Sequence, residues 1–140
     1  MNTNQRFAIS IHALTLLASS NEPLTSEAIA DSVDTNPVVI RRTMASLREH
    51  GLVASKSGAN GGWLLLHKPK QIALCEVYRS LEHDDVLSIH GHPSKTCRVG
   101  AHIKDVLGEV FTSAQKEMEN ALGKYTIADV LEDVLARAKN

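Results

Sequence analysis

Asn36-Pro37 and Gly51 bracket a segment that has little choice but to be a helix. Asn is a good N-cap, because its side-chain oxygen accepts from one of the first free amides, and Pro at the next position loses no hydrogen bond it could have made. Gly51 supplies the left-handed position at which helices stop. A shorter helix precedes this one, with Thr25 as its cap, Glu27 in the first turn where the helix dipole favours an acid, and Ala28, Ile29 and Val33 as apolar positions. Only Asp34-Thr35 separates the two. Two short helices joined by so tight a turn, with a further helix ahead of them, is helix-turn-helix organisation.

The leading helix is expected over residues 4–18. Arg6 followed by FAISIHALTLLASS imitates a secretory leader, but Ser10, His12 and Thr15 interrupt the apolar run. Phe7, Ile11, Leu14 and Ala18 fall at helical spacing, which reads as an amphipathic helix of the fold. No apolar run approaches the roughly 20 residues that a membrane span needs. The expected location is therefore the cytoplasm, with no membrane partner.

A generic three-helix bundle and a nucleic-acid reader can share this layout, and the surface of the third helix separates them. Ile40, Met44 and Leu47 share one face and belong to a core. Val38, Arg42, Ala45 and Glu49 project the other way, with Arg41 and Arg48 on a flank. An outward Val38 near the N-terminus suits a helix entering the major groove, where its first residues meet base edges and thymine methyl groups. Small Ala45 permits close approach, and Arg42 can reach guanine or phosphate. Charge distribution agrees. Residues 1–70 hold seven Lys/Arg against five Asp/Glu, whereas residues 71–140 hold eight against eleven. Between Arg41 and Lys56 stand four cations and one acid, Glu49, a basic patch on a chain whose net charge is only −1.

After Gly51 the period changes. Residues 52–56 read as a strand, 57–62 as a turn and 63–66 as a returning strand. Asn60-Gly61 is the expected turn centre, since both residues tolerate positive φ. The glycines of SGANGG could instead cradle a phosphate, but such a loop needs GxxxxGK[ST] opening a helix. The Lys and the Ser/Thr are both missing here, and the loop joins strand to strand. It is read as a wing, with Trp63 beneath it in the core.

A short helix is expected over residues 73–82, followed by a polar loop to residue 98. Ile103, Val106, Leu107, Val110, Phe111, Ala114, Met118, Ala121 and Leu122 then form one apolar stripe. A helix so long overshoots a small winged unit, and a second copy of itself is the economical cover for its stripe. Thr126 with Asp129 predicts a capping box for a last helix burying Ile127, Val130, Leu131, Val134 and Leu135. The fold class is thus mainly α with a small β-hairpin wing. Three parts are expected: a winged helix-turn-helix domain over 1–82, a sensor-like loop over 83–100, and the long dimerisation helix with the C-terminal helix over 101–140.

The helix-turn-helix, LREHGLVASKSGANGGWLL, the cysteine-bearing loop, the long helix and the terminal TIADVL together resemble the Rrf2 family of bacterial transcription regulators. The resemblance runs over residues 3–135 and is most specific at LREHGLV, at Gly58, Gly61 and Gly62 with their following aromatic, and at residues 126–131. It implies a homodimer that binds double-stranded DNA at a partly palindromic operator, with recognition helices in successive major grooves and wings near the adjacent minor grooves. By position it implies base-facing Val38, Val39, Arg41 and Arg42, with Asn36 and Pro37 at the helix start. Arg48, Lys56, Ser57 and Asn60 complete the expected DNA-binding set. Members commonly carry Arg where Ser57 stands, and a polar pair where Val38 and Val39 stand. Members that hold an iron–sulfur cluster have three cysteines in the loop before the long helix; this chain has Cys97 alone there, so no cofactor is expected.

Cys97 lies beside Lys95 and Arg98 at the start of the long helix, features that favour the thiolate. Three readings stay open: a thiol redox switch, a metal site formed with His90, His92 and His102, and an unused thiol. Cys75 is expected to pack as a small hydrophobe. A winged helix that docks a protein partner and leaves DNA alone is the competing class, disfavoured by the basic patch. No nucleophile–base pair or nucleotide fingerprint points to an enzyme; Asp84-Asp85 reads as solvated charge.

Overall fold

The computed structural model describes residues 3–81 and 87–139. The chain runs α1 (Thr3–Ser19), α2 (Ser26–Val33), α3 (Pro37–Glu49), β1 (Val53–Lys56), β2 (Gly62–Leu65), a 3-10 turn (Pro69–Gln71), α4 (Leu74–Arg79), α5 (Arg98–Leu122) and α6 (Ile127–Ala138). It is mainly helical, with one antiparallel hairpin paired from Val53↔Leu65 to Lys56↔Gly62. The helix expected over 73–82 ends at Arg79, with Ser80 as its C-cap; residue 82 and Asp84-Asp85 lie outside the described residues.

Local signals carry the helix ends. The Thr25 hydroxyl accepts from the Ala28 amide at 3.1 Å, and the Asn36 side-chain oxygen accepts from the Val39 amide at 3.1 Å. Asp34 turns the chain between α2 and α3 in the left-handed region, φ +65°, and Gly51 ends α3 at φ +75°. Thr126 and Asp129 close the capping box that starts α6.

One core joins these parts. Leu14, Ile29, Ile40, Met44, Leu47, Val53, Ile72, Val77 and Ile127 are fully buried. On α1 the buried face centres on Ser10, Ala13, Leu14 and Leu17, while Phe7, Ile11 and Ala18 pack at its margin. Ser10 and Thr15 interrupt the apolar pattern without leaving the core. Their hydroxyls donate to the carbonyls of Arg6 at 2.8 Å and Ile11 at 2.7 Å, so neither is buried unsatisfied. Similarly, Ala30 rather than Ala28 is the buried alanine of α2.

The wing differs from expectation in two respects. Its turn spans five residues, 57–61, and positive φ falls on Gly58 and Gly62, not on Asn60-Gly61. At Gly62 a contact from outside the hairpin bears on the turn. Leu24 pairs with Trp63 through hydrogen bonds of 3.0 and 2.7 Å, adding a one-residue third strand. This brings the Leu24 backbone so close to Gly62 that a Cβ there would sit 2.6 Å from its carbonyl.

The last two helices also correct the expectation. α5 begins at residue 98 rather than 101, because the Ser94 hydroxyl accepts the Thr96 and Cys97 amides at 3.3 Å each and organises the helix start. α6 packs on α1 and on the 3-10 turn. The Ala73↔Thr126 bridge, with Leu74 donating to Tyr125 at 2.9 Å and Ile127 to Ile72 at 2.9 Å, anchors its start. The same helix leaves Val134 and Leu135 half exposed, contrary to their expected burial, since α6 runs past the surface it packs on.

Candidate nucleic-acid interface

The exposed side of α3 assembles most of the residues expected at DNA. Pro37 occupies the first turn behind the Asn36 cap, and Val38 stands out from it with 53% of its surface exposed. An aliphatic side chain held in water there is unfavourable by itself, roughly in proportion to its apolar area. Val39 is half buried, and its carbonyl accepts from the Thr43 hydroxyl at 2.9 Å, which satisfies that buried hydroxyl within the helix. Ala45 is half buried and Arg42 exposed along the same side.

The four cations from Arg41 to Lys56 divide into two kinds. Arg41 pairs with Glu27 of α2. The pair is exposed on both sides and of small energetic weight, but it turns the guanidinium toward α2. Arg48 lies over the Trp63 ring, 5.5 Å from its centroid, and reaches the Ser55 hydroxyl at a long 3.5 Å. Arg42 and Lys56 hold no side-chain hydrogen bond or ion pair among the described residues, so they are the cations free to meet an anion. Lys56, Ser57 and Asn60 are exposed on the wing. Glu27, Ser55 and Trp63 shape this surface without having stood out as site residues. Their partners lie 14, 7 and 15 positions away in sequence, beyond any local pattern.

α5 presents the second surface. Not one of its residues is buried. Val106 and Val110 are each 56% exposed, Ala114 is exposed, and Ile103, Leu107, Phe111 and Met118 are half buried. The helix is fastened to the winged unit near its C-terminal end. Arg79 donates to Glu119 at 2.9 Å, the Gln115 amide donates to the Tyr78 hydroxyl at 3.0 Å, and Leu122 packs on the core. Tyr78 in turn meets Phe7 of α1 edge-on, with ring centroids 5.4 Å apart. Glu119 raises the Arg79 pKa above its ordinary value.

The two cysteines sit at opposite ends of α5. Cys97 caps its start and is exposed; the amides of Gly100 and Val99 hold its thiol below the ordinary cysteine pKa. These amides belong to the first turn of α5, the helix start expected to act on the thiol. Cys75 is half buried, with its sulfur packed where a Cβ on Gly123 would be 3.4 Å away. A helix of 25 residues, about 37 Å, separates the two. His90, His92, Cys97 and His102 are not drawn together either: among the described residues no three His, Cys, Asp or Glu side chains gather as metal ligands.

The profile of the Rrf2 family, described as an iron-dependent transcriptional regulator, matches residues 3–133. A candidate HTH-type transcriptional regulator of Bacillus subtilis, YwnA, is 40% identical over 129 residues, which are 91% of this chain and 96% of that protein. A crystal structure of a candidate DNA-binding protein superposes with a TM-score of 0.74 at 39% identity, covering 90% of this chain and 98% of that one. IscR from T. potens superposes at 0.70 with 27% identity, covering 92% and 85%. The described residues do not fit the iron of the family description, since two thiols some 37 Å apart cannot share a centre and no group of three His, Cys, Asp or Glu side chains gathers around either. No helix among them is long and apolar enough to cross a membrane. The free cations on α3 and the wing, the exposed first turn of α3 and these likenesses agree, and the chain belongs to the Rrf2 family of winged helix-turn-helix, DNA-binding transcription regulators.

Proposed function

We propose that the chain works as a homodimeric repressor that reads a partly palindromic operator without catalysis. The observation that carries this reading is the pairing of two unsatisfied surfaces: the outward Val38 and Arg42 of α3, and the partly exposed apolar stripe of α5. Two copies joined along α5 bury the stripe and present two α3 helices, one to each half-site. Val38 and Val39 then meet apolar base-edge groups such as thymine methyls, and Arg42 meets guanine or phosphate. Asn36 has its oxygen committed to the Val39 amide, which leaves its NH₂ to donate to a backbone phosphate. Lys56, Ser57 and Asn60 rest the wing against the neighbouring backbone. A dimer seated across a promoter represses by occupying it.

Cys97 adds a signal input to this reading. A peroxide would oxidise it, the thiolate sulfur attacking the O–O bond and releasing hydroxide or water to leave a sulfenic acid. The added oxygen disturbs the contact of the sulfur with the Gly100 and Val99 amides, in a first turn where a Cβ on Gly100 would sit 2.4 Å from the Ser94 carbonyl. Shifting that turn alters how α5 meets its partner helix.

Selecting bound sequences from random DNA tests the whole reading. It is expected to return one motif with twofold symmetry and binding that weakens steeply with salt through counterion release. Recovery of an asymmetric single half-site would remove the dimer, and no enrichment at all would remove sequence-specific reading. Repeating the binding after peroxide treatment with Cys97→Ser alongside tests the thiol; equal loss in both proteins would remove Cys97 from the mechanism.

A further inference from the structure

Recognition helix and wing meet at one aromatic side chain. Trp63 is almost fully buried; its indole N–H donates to the Ser26 hydroxyl of α2 at 3.0 Å, and its backbone pairs with Leu24. Its cross-strand neighbour is Ser55. The Arg48 guanidinium, from the last turn of α3, covers the ring and reaches Ser55, so it touches both wing strands at once. The wing tip begins at Gly58, a few residues beyond this contact. At about 3.3 Å per strand residue the tip lies roughly 10–15 Å from the ring, so a tilt of about 10° at the base displaces it by about 2 Å. That is enough to break a hydrogen bond to phosphate.

We infer that Arg48 is a positioning residue whose guanidinium, laid on Trp63, sets the angle between the wing and the recognition helix; it is not itself a phosphate contact. The inference rests on the operator-binding reading, and it revises the role expected for Arg48 from its charge alone. A planar, weakly hydrated guanidinium suits the flat indole face, whereas a lysine ammonium keeps the charge and loses that fit. The chain has one tryptophan, so its emission reports the contact directly.

The test compares Arg48→Lys and Arg48→Met, both changes at an exposed side chain, with the unaltered chain. If Arg48 positions the wing, both variants change the Trp63 emission of the free protein. Both then weaken operator binding by a similar two- to fivefold, about the weight of one exposed cation–π contact. The sequence motif recovered by selection stays the same, while protection of the flanking minor groove fades in both. If Arg48 is a phosphate contact, Arg48→Lys binds like the unaltered chain, and Arg48→Met lowers the salt slope by about one; that result overturns the inference. Unchanged emission in both variants overturns it as well. If the unaltered chain shows no sequence-specific binding, the operator reading fails first, and the emission still shows whether the Arg48–Trp63 contact exists.

Discussion

The winged unit and α5 come from one chain but are built on opposite terms. Within the winged unit, Ile40, Met44, Leu47 and their neighbours lose all contact with water. Across the 25 residues of α5 no side chain does. Both carry amphipathic helices, so pattern alone does not separate them. What separates them is whether a partner surface exists within the chain. For α3 it does, in α1, α2 and β1. Among the described helices and strands α5 packs mainly on α4, which is six residues long. An apolar stripe exposed over such a length is the surface that the proposed dimer would cover.

The sharpest way to break this contrast is to truncate a residue on each side of it. Ile40→Ala should lower the unfolding free energy by about 2–5 kcal/mol in urea titrations, and the loss should not depend on protein concentration. A loss under 1 kcal/mol would mean that the α3 core face is not packed as described. Val106→Glu with Val110→Glu should instead leave the winged unit folded while sedimentation shows a monomer. Operator affinity should then fall by about a hundredfold, the usual scale for losing the second of two linked sites. A double variant that still sediments as a dimer would place the interface elsewhere.

Arg42→Ala is expected to lose about 1–3 kcal/mol of operator binding and to relax sequence preference, measured by competition with mismatched sites. Arg41→Ala should lose less, because Arg41 already faces Glu27. Equal losses would mean that the Arg41–Glu27 pair opens on DNA. The smallest effect concerns the far end of α5. Because the Gly100 and Val99 amides depress the Cys97 pKa, its thiolate persists to lower pH in the folded chain than in the unfolded one. Alkylation of Cys97 by iodoacetamide should rise with pH and reach half its plateau at a lower pH than in urea, falling away as pH drops through the folded pKa. Coincident folded and unfolded profiles would show that the helix start does not act on the thiol.

Much of this was legible because the governing forces act over a few residues. Thr25, Asn36-Pro37, Gly51 and the Thr126–Asp129 pair each satisfy or end a helix through groups three or four positions apart, and every one stands where its pattern implies. The division of α3 into a core face and an outward face follows from 3.6-residue periodicity in the same way. The wing turn was not legible at that level. Asn60-Gly61 is a good local turn, yet the chain puts positive φ on Gly58 and Gly62, and at Gly62 the backbone of the distant Leu24 leaves room for nothing but glycine.

Sequence by itself determined the order of elements, the ends of the helices and which face of α3 looks outward, since capping, backbone φ and helical period are local properties. Tertiary structure alone decided what the charges do. Arg41, Arg42 and Arg48 look alike in a basic run, but Glu27 takes one, Trp63 takes another, and only Arg42 is left open. It also decided that Leu24 would join the wing and that Val134 and Leu135 would outrun their packing surface. Such outcomes depend on which surfaces meet through space, and no spacing along the chain encodes that.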